Sequence, residues 1–170
     1  LSSFKYAKEI AETLKRWIKE GLFFLSRPAE LLPNQREFKP LEVRRHELRV
    51  KDIMTAKVTT ARPNHDVRTI ASLIVRNGVD HVPIVDDDNR LVGIVTSWDL
   101  AKALAEGKSK LEEVMTTKVV TARENESGDV VARRLAQHNI SGMPVVDDAK
   151  KVIGIVTTDD LAKLLRKWKE

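Results

Sequence analysis

The sequence predicts an α/β (α+β) fold of two βαββα repeats packed face to face, preceded by an N-terminal helix and an extended linker. Three observations predict it. Residues 50–106 superpose on residues 111–167 at a constant offset of 61 without a gap, and 22 of the 57 positions are identical. Each copy alternates short β-branched runs with amphipathic, helix-period segments. One copy alone is too small to bury both faces of a three-stranded sheet, so two copies share a core and the pair is the folding unit.

The elements follow in order within the first copy. Val58-Thr59-Thr60 is a short β-branched strand, ended by Pro63 and Asn64. From Asp66 to Asn77 apolar residues recur at helical spacing (Val67, Ile70, Ala71, Ile74, Val75), and Gly78 is placed to cap the C-terminus. Val82–Val85 reads as a buried strand, Asp86-Asp87-Asp88-Asn89 as a turn, and Leu91–Val95 as the returning strand of a hairpin. Thr96 or Ser97 then caps a second helix that runs through Leu104. The second copy repeats this as strand Val119–Thr121, helix Asp129–His138, strands Met143–Val146 and Val152–Val156, and helix Asp159–Lys167. The chain therefore divides into residues 1–49, 50–108 and 109–170.

Composition removes several function classes. There is no cysteine, so a disulfide framework and a Cys-based zinc site are excluded; the same absence fits a reducing, cytoplasmic setting. No apolar run approaches the ~18 residues that span a bilayer. Of the net charge of +5, residues 1–49 hold +4 (11 Lys/Arg against 7 Asp/Glu) and the remainder only +1 (19 against 18). The repeats are thus near neutral and offer no general phosphate-binding face, so neither a membrane nor a nucleic acid is the expected partner. His46, His65, His81 and His138 lack metal-ligand spacing, and Gly93 and Gly154 are isolated rather than parts of a phosphate-cradling loop. No Ser-His-Asp or Cys-His set is present. Catalysis has no candidate residues, and no catalytic cofactor is expected.

The pattern Val-Lys-Asp-Ile-Met-Thr (50–55), then Val-Pro-Ile-Val-Asp (82–86), then Leu-Val-Gly-Ile-Val-Thr (91–96) with Asp99-Leu100 resembles the cystathionine-β-synthase (CBS) domain. Its recurrence in the second copy resembles a Bateman module, the tandem CBS pair. The resemblance implies two clefts between the repeats related by pseudo-twofold symmetry, adenosyl ligands within them, and frequent homodimerisation.

Candidate ligand residues concentrate at Thr96-Ser97-Trp98-Asp99 and Thr157-Thr158-Asp159-Asp160, where a buried strand gives way to a helix. A helix N-terminus offers free N–H groups and partial positive charge, and a carboxylate three residues after the Thr can accept both hydroxyls of a ribose. The competing reading is that each Thr-x-x-Asp only caps its helix. By the resemblance, one cleft combines Thr96 and Asp99 with Val119, Val120, Ile140 and Ser141. The other combines Thr157 and Asp160 with Val58, Thr59, Val79 and Asp80. Relatives that bind AMP or ATP often hold His or Arg in the positions that here carry Asp80-His81 and Ser141-Gly142. His81 is mostly neutral at pH 7, and Asp159 adds a carboxylate beside Asp160, whereas Arg62 and Arg123 could compensate. The balance favours S-adenosylmethionine or methylthioadenosine over AMP or ATP.

In residues 1–49, Lys5–Gly21 reads as a helix with Ile10, Leu14, Trp17 and Ile18 on one face, followed by an apolar Leu22–Leu25 run that needs cover and a Pro- and charge-rich connector. The phrase Trp-Ile-Lys-Glu-Gly-Leu-Phe-Phe-Leu-Ser-Arg-Pro (17–28) is similar to the end of an archaeal homocysteine-biosynthesis family whose members carry C-terminal CBS pairs. That resemblance, and a chain opening on Leu1, imply a further N-terminal domain in a longer protein. The expected function is a ligand-sensing regulatory module, and the competing ones are a constitutive dimerisation scaffold with empty clefts and, with least support, a DNA-binding regulator.

Overall fold

The computed structural model describes residues 48–167. The expected helix at 5–21, the 22–25 run and the connector lie outside the described residues, except at its last residues, Leu48 and Arg49. The elements are α1 (Val50–Ile53), α2 (Val67–Asn77), β1 (His81–Val85), β2 (Leu91–Thr96), α3 (Ser97–Glu106), a 3-10 turn (Leu111–Glu113), α4 (Gly128–His138), β3 (Gly142–Val146), β4 (Val152–Thr157) and α5 (Thr158–Lys167).

The duplication persists in local detail. The Asp66 side chain accepts from Thr69 N at the start of α2, and Ser127 caps α4. Gly78 (φ 61°) and Asn139 (φ 53°) end the same two helices in the left-handed conformation, which Gly and Asn reach most readily. β1 pairs antiparallel with β2, and β3 with β4, with a bulge at the corresponding step, Ile84/Val85 and Val145/Val146. In the turns Asp86 accepts from Arg90 N, Asp147 from Lys151 N, and Asn89 and Lys150 share φ 63°.

The leading strand of each copy differs from expectation. Val58–Thr60 and Val119–Thr121 form no ladder; only Ala61 and Ala122 make a single parallel bridge, to Ile84 and Val145. Ala61 N donates to Pro83 O and Val85 N donates to Ala61 O. Extending the pairing two residues back would require an N–H at Pro83, and in the other copy at Pro144, which proline lacks. Each repeat therefore contains a two-stranded hairpin with a one-bridge neighbour, not the three-stranded sheet expected.

The cores cross the repeat boundary. Val50 and Ile53, from the start of the first copy, are buried with Ala122, Val131, Leu135, Met143, Val145, Val156 and Leu161 of the second. Leu111, from the start of the second, is buried with Ala61, Ile70, Val82, Ile84 and Val95 of the first. The Met-Thr pairs follow the same exchange: Thr55 bridges Ile155 on β4, and Thr116 bridges Ile94 on β2. Glycine permits this approach. A Cβ on Gly93 would stand 2.9 Å from Met115 Sδ, and one on Gly154 would collide with Met54 Sδ.

At the centre the two hairpins meet. Leu91 N donates to Lys150 O and Val152 N to Asn89 O, while Val85, Val146 and Val152 bury together against Val58 and Leu91.

Candidate functional site

Each Thr-x-x-Asp forms a capping box. Asp99 Oδ2 accepts from Thr96 N and Thr96 Oγ1, both at 2.8 Å, and Thr96 Oγ1 accepts from Asp99 N at 3.2 Å. Asp160 Oδ2 accepts from Thr157 N and Oγ1 at 2.9 Å, and Thr157 Oγ1 accepts from Asp160 N at 3.3 Å. The capping reading is therefore correct as far as it goes, but it uses one carboxylate oxygen in each box. The second oxygens differ. Asp99 is half-buried, and its Oδ1 has no partner among the described residues. Asp160 is buried, and its Oδ1 accepts from Thr55 Oγ1 at 3.5 Å with Lys163 Nζ 3.8 Å away.

The ends of the two hairpins gather the other candidates. Asp80 O accepts from Ser97 N and Asp80 Oδ1 from Ser97 Oγ, so Asp80 lies against the Thr96–Asp99 loop of its own repeat. Ser141 O accepts from Thr158 N in the same way in the second repeat. His81 Nε2 stands 3.0 Å from Ser141 Oγ and joins the two ends. His81 and Gly142 occupy equivalent positions and face each other, since a Cβ on Gly142 would lie 3.0 Å from the His81 ring. Only one of the pair can carry a large side chain. Thr96, Asp99, Asp80, Ser141, Thr157 and Asp160 thus converge on the ends of β1 and β3 around His81.

The apolar candidates are half-buried. Val79 packs on the first core, Val120 and Ile140 on the second, and Val58 on the central cluster; Thr59 and Val119 are also half-buried. Sequence reasoning missed Thr55 as a neighbour of Asp160 and Ser97 as the partner of Asp80. The recurrence of Met-Thr was the available signal for the first.

Charge at this locus is mostly negative or neutralised. Burial holds the His81 imidazole below its ordinary range; the carboxylates of Asp80, Asp159 and Asp99 oppose this, and burial wins. Arg62 Nη1 donates to Val85 O beside Asp87, and Arg123 Nη1 donates to Val146 O and Asp148. Both guanidiniums are thus engaged at the hairpin turns. Among the described residues no group of His, Asp and Glu is placed to hold a metal ion, and no helix is long and apolar enough to cross a membrane.

A buried, neutral His81 gives stability a pH dependence of definite sign. The unfolded state takes up a proton near the ordinary histidine pKa of about 6.5, before the folded state does. It therefore binds more protons in that window, and stability rises with pH. Stability should be complete above about pH 6.5 and fall as the pH drops toward the lower folded-state pKa. Urea denaturation of wild type and His81→Gln at pH 5 to 8 measures it. Parallel pH profiles for the two proteins would refute the assignment.

Comparison with known proteins adds four findings. The family model described as CBS domain matches residues 50–106 and 111–167. An L-aspartate semialdehyde sulfurtransferase of Methanocaldococcus jannaschii is 45% identical over 164 residues, 96% of this chain and 32% of the relative; this chain thus spans about a third of that protein's length. A match of that extent also takes in most of residues 1–49. The CBS domain pair of protein MJ0100, solved in complex with 5′-methylthioadenosine and S-adenosyl-L-methionine, is 46% identical with a TM-score of 0.69, covering 71% of this chain and 97% of that one. CBSX2, solved in complex with AMP, is 26% identical with a TM-score of 0.66, covering 72% and 98%.

Proposed function

The chain belongs to the CBS domain family, with two copies in tandem, and from that premise we propose that residues 50–167 are a regulatory module that binds S-adenosylmethionine or methylthioadenosine and relays occupancy to an attached domain. The observation that carries the reading is the duplicated Thr-x-x-Asp box. One oxygen of Asp99 fixes the loop, and the other is left to accept from a ribose hydroxyl. By the family resemblance Val119, Val120, Ile140 and Ser141 would complete that cleft, and Val58, Thr59, Val79 and Asp80 the one at Thr157 and Asp160, with Asp80 and Ser141 also bonded to the box of their own repeat. The 46% identity to a pair that holds these two ligands supports the choice. So does the charge: neutral His81 and the carboxylates at Asp80 and Asp159 oppose a triphosphate, Arg62 and Arg123 lie at the hairpin turns, and Lys163 is paired with Asp160. Each unfavourable charge pair costs on the order of 1 kcal/mol near a wet surface. The sulfurtransferase activity in the relative's name belongs to a protein about three times longer, and any catalysis would lie with the attached domain.

Calorimetric titration tests the reading. S-adenosylmethionine or methylthioadenosine should bind at least about tenfold tighter than ATP at one ionic strength, about 1.4 kcal/mol, with AMP between them. Asp99→Asn and Asp160→Asn keep a capping acceptor but lose the charge-assisted bond, and each should cost about 1.5–3 kcal/mol at its own cleft. Wild-type affinity in both single variants and in the double variant would sink the ribose assignment, and equal or tighter ATP binding would sink the electrostatic one.

The module is also proposed to be a homodimer. Val75 on α2 and Leu104 on α3 are 81% and 84% exposed on two helices that pack together, and a second copy would cover them. Light scattering at high micromolar concentration should report a dimer; a monomer would remove the claim.

A further inference from the structure

Both hairpins are completed by a Met-Thr segment from the other repeat, but the two segments continue into different parts of the chain. Upstream of Thr116, the connection folds back on the first repeat: Asp66 bridges Lys110, and Val67 N donates to Ser109 O. Upstream of Thr55 lie α1 and then Leu48, into which residues 1–47 lead. Resting on the adenosyl-binding reading, we infer that Thr55 is a positioning residue of the Thr157–Asp160 cleft and transmits that cleft's occupancy to Leu48–Thr55, the segment that opens the first repeat.

The path is contiguous. Asp160 Oδ2 already accepts twice from Thr157, so a ribose hydroxyl would bind at Oδ1, which Thr55 Oγ1 shares at 3.5 Å. That bond is long, and a hydroxyl at the usual ~2.7 Å on the same oxygen would weaken it. Thr55 is tied by its backbone to Ile155 in both directions, at 2.8 and 2.9 Å, so any shift of its backbone is shared with β4. α1 follows directly, its Val50 and Ile53 buried beside Leu161, the residue after Asp160. Ahead of it, Val50 N donates to Glu126 O, Lys51 N to Glu124 O, and Gly128 N to Leu48 O. The first cleft lacks this route. Thr116 makes no side-chain bond to Asp99 among the described residues, and its upstream chain ends within the module. A ligand shifts such an element only through different affinity for its two arrangements, and the Thr55–Asp160 bond is the contact that differs.

Hydrogen exchange on the 170-residue chain with and without saturating S-adenosylmethionine tests it. Amides of Leu48–Thr55 should change their exchange rate at least about fivefold on binding, the lower end of ordinary coupling. The change should persist in Asp99→Asn and vanish in Asp160→Asn. Thr55→Val should still bind the ligand yet lose the change, and Thr55→Ser, which restores the hydroxyl, should recover it. The inference is overturned if the change survives in Asp160→Asn, disappears in Asp99→Asn, or is undiminished in Thr55→Val. Should Asp160→Asn fail to fold, the Thr55 pair decides alone. Wild type that binds but shows no change at Leu48–Thr55 removes only this inference; wild type that does not bind removes the functional reading with it.

Discussion

Leu111→Ala should destabilise the module by about 2–5 kcal/mol, the usual cost of truncating a fully buried leucine. The residue belongs by sequence to the second repeat, and by packing to the first. It is 2% exposed and sits among Ala61, Ile70, Val82, Ile84 and Val95, so the cavity opens beneath α2 and the β1–β2 hairpin. Denaturation should show the loss, and native-state hydrogen exchange should place it. Protection should fall first at Ile70, Val82 and Val95, ahead of Val131, Met143 and Val156. The reverse order would mean that Leu111 packs with its own copy and that the exchange of leading segments is wrong.

This exchange marks the limit of what the residues disclose before folding. Helices α2 to α5 and both hairpins were legible because each carries its own periodicity and its own stops, such as Asp66 before α2 and Gly78 after it. Val50, Ile53 and Leu111 were legible as apolar, but periodicity states that a residue is buried and not against what. With two copies so alike, composition does not say which leading segment enters which core. The short leading strands were over-read for a different reason. Val58–Thr60 has the composition of a strand, and the veto lies 23 or more residues away, in the missing N–H of Pro83.

The site was legible in part. Thr96–Asp99 was open between cap and ligand acceptor; the structure shows the cap, made through one oxygen of Asp99, and the ribose contact proposed for the other oxygen does not conflict with it. The difference between Asp99 and Asp160 could not be read, because Thr55 and Thr116 are the same residue in the same motif. Nor could the engagement of Arg62 and Arg123, whose partners are the backbone carbonyls of Val85 and Val146.

Gly154→Ala should cost about 1–3 kcal/mol, the range for overpacking a well-filled core. The added methyl would overlap Met54 Sδ and stand 3.1 Å from Met54 Cγ. Met54 is flexible enough to move part of the way, but it packs on the second core and adjoins Thr55, whose backbone is held on Ile155. Gly93→Ala meets Met115 Sδ and also the carbonyl of Thr116 at 3.2 Å, which cannot retreat without breaking the bridge to Ile94, so its cost should fall at least as high in the range. A double-mutant cycle distinguishes a real clash from a general intolerance of the strand. Met54→Ala opens room at Gly154, so Gly154→Ala and Met54→Ala should be coupled by at least about 0.5 kcal/mol. Gly154→Ala and Met115→Ala, whose contacts lie in different hairpins, should be additive. The pairing is counter to sequence order, since Met115 is the methionine of Gly154's own copy and Met54 that of the other. Coupling of Gly154 to Met115 but not to Met54 would return each leading segment to its own repeat, and with it would fall the contact between Thr55 and Asp160.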